Sequence, residues 1–229
     1  MSKYCILLFI VSLCVGCFPT EKKELVEPVV LPSVNWEEGE TSVEGAATEG
    51  EFRIKFETTA GDFTFLVHRD WAPLGAERLH ELVKSKFYDG VVFHQVNPGM
   101  IQFGISGDPQ ATTYWDKPIA DEPVKESNYA AVASFAKKGE DSRRTQICIS
   151  LVQNSYMDSE GYSPMAEVES GWEVVKRINP EYGINASEEK IKERGNEYIF
   201  EKFPNMDYII KATIVAEESD VDGAKGIQK

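Results

Sequence analysis

Few side chains in this sequence are of the types that perform covalent or metal chemistry. The histidines His68, His80 and His94 lack the spacing to cysteine or carboxylate residues that a metal site requires. Of the four cysteines, only Cys148 lies beyond residue 17, and we interpret it as an inert apolar side chain rather than a reactive thiol. The sequence therefore predicts no metal site, and no internal disulfide beyond residue 17.

Length and charge restrict the size of the fold and the classes of partner. The 229 residues suffice for one ordinary domain with a hydrophobic core. Lys and Arg number 24 against 38 Asp and Glu, which gives a formal net charge of -14. Such a chain repels nucleic acid and anionic lipid headgroups, so we expect no nucleic-acid partner and membrane contact only through a covalent anchor. Acidity that serves solubility alone is the alternative.

The first 17 residues have the pattern of a bacterial export signal. Lys3 precedes an apolar run from Ile6 to Gly16, which is far shorter than the roughly 20 residues that span a bilayer. The end of the run resembles the lipobox of bacterial lipoproteins, although Cys14 stands where leucine is usual. This resemblance implies cleavage before Cys17 and lipidation of that cysteine. It places the protein in the cell envelope, lipid-anchored on the extracytoplasmic side and facing the periplasm if two membranes are present; an ordinary cleaved signal or an uncleaved anchor are the alternatives.

Composition divides the remaining chain into three regions. Residues 18–50 are rich in Glu, Pro, Val, Ser and Gly without helical or strand periodicity, which predicts a disordered acidic tether. Residues 51–216 carry the periodic apolar patterns of a folded domain, and residues 217–229 are predicted to be a disordered tail.

Hydrophobic periodicity predicts a mainly β domain with a few helices. Apolar residues follow Pro73 at helical spacing, and Ser170 with Glu173 has the spacing of a capping box that starts a second helix. The predicted strands are 52–56, 63–67, 91–93, 130–135, 146–151 and 207–215, and a third helical stretch is predicted over 187–202. Many strands interrupted by two or three helices favour a closed antiparallel barrel with helical caps.

Several segments of this region resemble the cyclophilin family of peptidyl-prolyl isomerases. They include Phe87–His94, Gln102–Pro109, Ser142–Gln146 and Asn154–Asp158, and the similarity extends in order over about 165 residues. The resemblance implies a mostly β fold, namely a closed eight-stranded antiparallel barrel capped by helices. It also implies a groove that binds X-Pro segments of unfolded or extended polypeptides and needs no cofactor, in a protein we expect to be a monomer.

The reaction of this family is rotation about the peptide bond that precedes proline. That rotation is slow because the amide has partial double-bond character and a barrier of roughly 20 kcal/mol. A catalyst needs an apolar pocket for the proline ring, contacts to the flanking backbone and a donor that stabilises the twisted amide. In the family, an arginine directly after a Phe-His pair supplies this donor.

This sequence has no arginine at that position. Phe93-His94 is followed by Gln95, and the stretch up to Gln102 is one residue shorter than is usual in the family, so the family arginine aligns with either Gln95 or His94. A neutral amide lacks the charge and the fork of donors of a guanidinium. The resemblance makes Gln95 and Gln102 the candidate catalytic residues, and the candidate substrate-binding residues are His94, Met100, Ile101, Ala136, Gln146, Cys148, Tyr156 and Met157.

Three of these residues depart from the family pattern of the proline pocket. Cys148 replaces a phenylalanine, Tyr156 a common tryptophan and Met157 a leucine. The smaller cysteine weakens proline burial by about 1 kcal/mol or more. We interpret Arg143 and Arg144 as solvent-facing loop charges, with the alternative that one of them reaches the groove.

Two hypotheses for function follow from these residues. The first is a peptidyl-prolyl cis-trans isomerase that assists the folding of exported proteins with activity reduced by the missing arginine. The second is a proline-segment binding module or chaperone that retains the scaffold with weak or no turnover. An isomerisation assay distinguishes them.

Overall fold

A computed structural model describes residues 50–217 of the chain. The predictions of a signal peptide, of lipidation at Cys17, of the acidic tether up to residue 49 and of the tail from residue 218 lie outside the described residues. Within the described part, no helix combines the length and the apolar character that crossing a membrane requires.

The described chain contains eight strands and six helices. The strands are β1 (Glu51–Thr58), β2 (Gly61–His68), β3 (Gln95–Val96), β4 (Met100–Phe103), β5 (Val132–Phe135), β6 (Ile147–Ser150), β7 (Pro164–Ser170) and β8 (Ile209–Glu217). The helices are α1 (Pro73–Lys84), α2 (Pro109–Tyr114), α3 (Ser155–Ser159), α4 (Trp172–Val175), α5 (Glu188–Arg194) and α6 (Asn196–Lys202).

The first hairpin and the first helix are confirmed by the structure. In β1 the apolar side chains of Phe52, Ile54 and Phe56 are buried, while the residues between them are only partly buried. This period of two places one face of the strand on the core and the other toward solvent. The buried residues of α1 include those that the helical spacing selected, namely Ala76, Leu79, Leu82 and Val83. Together these faces form the main hydrophobic core.

The prediction of a closed barrel is wrong. The antiparallel strands form one curled half-barrel in the order β3-β4-β6-β5-β7-β2-β1-β8, and in residues 50–217 the end strands β3 and β8 do not pair as a ladder. A single bridge joins Val92 to Tyr208 across the gap, and the N–H of Phe93 donates to the carbonyl of Asp207 at 3.0 Å. The N–H of Ile209 also donates to the carbonyl of Val91 at 2.8 Å, so the segment before β3, rather than β3 itself, contacts the start of β8.

Two helix predictions also require correction. Ser170 ends β7, and Gly171, with a φ of 80°, occupies the N-cap position of α4 without a side-chain cap. The helical stretch 187–202 is divided at Gly195, which has a φ of 58°. Its backbone lies so close to the carbonyl of Gly107 that a Cβ atom would overlap it. This close approach explains the break between α5 and α6, since glycine alone fits there.

Helices α5 and α6 form a unit that packs beside the sheet. Ile191, Tyr198 and Ile199 are buried against Val92 and Ile105 in a second, smaller hydrophobic cluster. The N–H of Asn196 donates to the carbonyl of Gly107 at 3.1 Å. The α5–α6 unit is therefore fixed to the part of the chain that follows β4.

The prediction that Arg143 faces solvent is wrong. Arg143 is fully buried, and its Nη2 donates to Glu122 Oε2 at 2.9 Å and to the carbonyl of Ala120. The two carboxylate oxygens of Glu122 also accept the N–H groups of Leu74 and Gly75 at 2.7 and 3.0 Å. The arginine thus supports a carboxylate that satisfies free N–H groups at the start of α1.

Candidate active site

The candidate active site is an open groove of about 470 Å³ on the outer face of the sheet. Gln95 lies opposite Gln102 in the register of β3 and β4, and Gln102 lies opposite Cys148 in the register of β4 and β6. Residues that are directly opposite in an antiparallel pair project to the same face. The groove is lined by Gln95, Gln102, Ile105, Thr112, Asp116, Ala136, Lys137, Lys138, Ser142, Arg144, Thr145, Gln146, Tyr162, Glu188 and Lys192.

Hydrogen bonds connect the amides on the groove floor. Gln102 Nε2 donates to Gln146 Oε1 at 2.6 Å, and the thiol of Cys148 lies 3.6 Å from Gln102 Oε1. The carbonyl of Gln146 accepts the N–H of Ala136 at 2.8 Å. These contacts hold the two glutamines together as a polar surface of the kind that binds an extended peptide backbone.

The structure brings four of the predicted site residues together in the groove, namely Gln95, Gln102, Ala136 and Gln146. The other six do not line this groove. Ile101 belongs to the main core, and Tyr156 is 68% exposed beside a neighbouring depression of about 360 Å³. His94, Cys148 and Met157 are buried, and Met100 is half-buried.

The strand register shows how the two candidates for the family arginine position are oriented. Gln95 pairs with Gln102 across β3 and β4. Gln95 then faces the groove, whereas His94, one residue earlier, is fully buried. Of the two candidates, only Gln95 therefore presents its side chain to the groove.

His94 is neutral in the folded protein at physiological pH. Burial lowers its pKa from 6.5 to about 4, although the nearby carboxylate of Glu188 and the polar groups of Gln146 and Val92 favour the charged form. The hydration that a charged imidazolium would lose there outweighs these favourable contacts. His94 thus supplies no positive charge to the groove.

This pKa predicts that stability falls as the pH decreases from 6.5 to 4. The folded pKa lies below the unfolded value, so in this window the unfolded chain binds a proton that the folded chain does not. The titration of His94 alone should decrease the free energy of unfolding by about 3 kcal/mol across the window, and other titrating groups add to or subtract from this value. Urea denaturation at pH 7, 5.5 and 4.5 measures this slope.

The variant His94→Phe retains an aromatic ring and should flatten the slope. Asp121 and Asp158, whose pKa values are lowered from 3.8, titrate mostly below this window, whereas Glu188, whose pKa is lowered from 4.5, adds to the slope at its acidic end in both proteins. Parallel pH curves for the wild type and the variant would show that His94 is not the titrating group.

Cys148 is a thiol rather than a thiolate at neutral pH. Burial raises its pKa to about 12, and its side chain is 1% exposed. A thiolate is the reactive form of cysteine. Cys148 therefore serves in packing beneath Gln102, as its interpretation from the sequence predicts.

Among the groove-lining residues in the described part of the chain, Arg144 is the only arginine. Its Nε lies 2.7 Å from Asp116 Oδ1, and its Nη1 donates to the carbonyl of Ser142 at 2.8 Å. The interpretation of Arg144 as a loop charge left open that one arginine reaches the groove, and the structure places Arg144 there.

Apart from Arg144, the sequence analysis did not identify the charged residues of the groove. Lys137, Lys138 and Lys192 line it together with Asp116 and Glu188. Glu188 lies about 40 residues from Gln146 in the chain, and no local pattern indicates that α5 returns to the sheet here. In residues 50–217, no group of three or more histidine, cysteine or acidic side chains could hold a metal ion.

The fold and the site together are a half-barrel of antiparallel strands with an amide-lined groove, and comparison with known proteins specifies the family. A family model described as cyclophilin type peptidyl-prolyl cis-trans isomerase/CLD matches residues 53–196. The chain belongs to this family. Its members are enzymes that bind proline-containing peptides, so the chain is a peptidyl-prolyl cis-trans isomerase by class.

Individual relatives agree with this assignment. Peptidyl-prolyl cis-trans isomerase cypE of Dictyostelium discoideum is 29% identical over 56% of this chain and 85% of its own length. Peptidyl-prolyl cis-trans isomerase A of Dickeya dadantii is 32% identical over 53% of this chain and 68% of its own length. A crystal structure of a cyclophilin type peptidyl-prolyl cis-trans isomerase from Cryptosporidium parvum is similar in fold, with a TM-score of 0.55, 18% identity, and coverage of 72% of this chain and 98% of that one.

Proposed function

We propose that this protein is a peptidyl-prolyl cis-trans isomerase that assists the folding of exported proteins and turns over more slowly than relatives with an arginine at its site. The observation that carries the proposal is the convergence of Gln95, Gln102 and Gln146 in one groove. Their amides can contact the backbone on either side of a proline. Gln95 occupies the position from which a donor acts on the twisted amide.

The reduced rate follows from the donor chemistry. In the transition state the peptide nitrogen gains lone-pair character, and a preorganised donor lowers the barrier to the extent that it binds this state more tightly than the planar amide. Gln95 can donate one hydrogen bond to such a nitrogen, but it brings no charge. Gln102 and Gln146 position the substrate backbone, which keeps the prolyl bond near the donor.

An isomerisation assay on the purified protein tests the proposal. We expect it to accelerate cis-trans exchange of an X-Pro peptide above the uncatalysed rate, measured by exchange spectroscopy. Gln102→Ala should abolish most of the acceleration, whereas Gln110→Ala, at an exposed position outside the groove, should leave it unchanged. Exchange no faster than in the absence of protein would refute isomerase function.

The second candidate is a proline-segment binding module without appreciable turnover. The buried Cys148 favours it, because a sulfur atom lies where the family has a phenylalanine that receives the proline ring. This function predicts binding of proline-containing peptides without rate enhancement, and loss of that binding in Gln102→Ala and Gln146→Ala.

The proposed location is the extracytoplasmic side of a cell membrane. Its support is the apolar run from Ile6 to Gly16 followed by Cys17, and the acidic residues 18–50 would then separate the domain from the membrane. Fatty-acid labelling of the protein in bacterial cells, lost in Cys17→Ser, tests the anchor; equal labelling of both proteins would exclude Cys17 as its site.

A further inference from the structure

Glu188 enters the groove from the α5–α6 unit rather than from the sheet. It is the first residue of α5, preceded by the N-cap Ser187, whose side chain accepts the N–H of Lys190 at 3.4 Å. The same unit is fixed by buried Ile191 and by the contact of Gly195 with Gly107. The carboxylate of Glu188 is consequently held at the groove by a packed element.

The contacts of Glu188 connect it to the peptide-binding amides. Its Oε2 accepts from Lys138 Nζ at 2.9 Å and lies 3.4 Å from Gln146 Nε2, while Gln146 accepts from Gln102. Burial alone would raise the pKa of Glu188, but the hydrogen bonds from Lys138 and Gln146 outweigh it, so the pKa is lowered. The side chain is therefore a carboxylate at neutral pH, adjacent to the backbone-binding surface.

The two members of this ion pair differ in their freedom to move. The side chain of Glu188 is 17% exposed, whereas that of Lys138 is 78% exposed. An ion pair with an exposed lysine contributes little free energy. When the pair separates, the ammonium becomes hydrated and the lysine side chain regains rotamer freedom. A cation on a bound peptide can therefore take the place of Lys138 while Glu188 stays fixed.

The other charges of the groove do not offer a similar exchange. Lys137 is nearly buried and paired with Asp121, and Arg144 and Asp116 neutralise each other at 2.7 Å. Lys192, one turn further along α5, is exposed and free to extend into solvent. The fixed charge with a displaceable counter-ion is that of Glu188.

We infer that Glu188 determines substrate specificity, so that the groove prefers X-Pro segments with Lys or Arg one or two residues before the proline. This inference rests on the proposed peptide-binding role of the groove. The incoming ammonium or guanidinium replaces Lys138 at Glu188, and Lys138 turns to solvent. Because the cation is linked to a peptide that Gln102 and Gln146 already hold, the pairing costs less entropy than a free encounter.

The test is a comparison of peptides that carry lysine or glutamine at the two positions before proline. Binding is followed by chemical-shift titration of the protein, which requires no turnover. We expect the lysine peptide to bind about fivefold more tightly than the glutamine peptide at low salt, with the difference decreasing at high salt. Glu188→Gln should remove the preference, and Lys138→Met, which removes the competing cation, should increase it.

Glu189→Gln is the matched control. Glu189 is the next residue of α5, is exposed and does not line the groove, so this variant changes the net charge equally. An equal loss of preference in both glutamate variants would show that the preference arises from net charge rather than from contact with Glu188, and would overturn the inference. A wild type without preference would overturn it as well. Thermal unfolding of Glu188→Gln checks that the α5–α6 unit remains folded.

The outcomes separate this inference from the proposed function. Preferential binding of the lysine peptide without accelerated exchange would refute the isomerase function and support the inference. Accelerated exchange with equal affinity for both peptides would support the function and refute the inference.

Discussion

Gln95→Arg should raise kcat/KM for an X-Pro peptide by about ten- to a hundredfold. Removal of one preorganised donor from an enzyme lowers kcat by about a hundred- to a thousandfold, and the expected gain is of that size or smaller. The register of β3 and β4 directs residue 95 to the same face as Gln102, and the side chain lines an open groove. A guanidinium there would add charge and several donors near the twisted amide. The gain should appear mainly in the rate of exchange at saturating peptide, because the donor stabilises the twisted amide more than the planar amide.

Two variants at the same position separate charge, donor geometry and side-chain length. Gln95→Lys adds a point charge without the planar fork and should give a smaller gain than arginine. Gln95→Met keeps the side-chain length and removes the donor, so it should fall below the wild type. If Gln95→Arg left the rate unchanged while peptide binding persisted, the limiting defect would lie elsewhere, and a larger residue at Cys148 would be the next variant.

Arg143→Met should lower the free energy of unfolding by about 3–5 kcal/mol, the range observed when one partner of a buried ion pair is removed. Glu122, 2.9 Å from Arg143, would remain buried beside the start of α1 without its counter-ion. The same carboxylate accepts the N–H groups of Leu74 and Gly75. Chemical denaturation at pH 7 measures the loss.

The adjacent arginine provides the control for this prediction. Arg144 pairs with Asp116, but their side chains are 39% and 59% exposed. Arg144→Met should therefore cost no more than about 1 kcal/mol. Equal losses in the two variants would contradict a structural role for the buried pair, because both changes remove the same charge from adjacent positions.

Local sequence patterns predicted the elements that carry their own periodicity. The alternation of Phe52, Ile54 and Phe56 and the helical spacing of Ala76 and Leu79 reflect burial of one face, which depends on residues close together in the chain. The site glutamines came from family landmarks rather than from periodicity. Gln95, Gln102 and Gln146 line one groove, whereas Tyr156 and Ile101 lie outside it.

Local patterns failed where the decisive contact joins distant segments. The capping box predicted from the spacing of Ser170 and Glu173 does not form, because Ser170 ends β7 and Gly171, in the left-handed conformation, is the N-cap of α4. The predicted helix 187–202 broke because Gly195 packs on Gly107. In each case a contact with a distant segment outweighed the conformation that the local sequence favours.

The sequence by itself determined the family, the mostly β class and the absence of arginine after Phe93-His94, because these depend only on residue identity and order. The tertiary structure decided that Gln95 faces the groove, that the half-barrel remains open, and that adjacent Arg143 and Arg144 have opposite environments. It also brought Glu188 to Gln146. The physical reason is that burial, strand register and charge pairing depend on which distant segments meet, and side-chain type alone does not specify them.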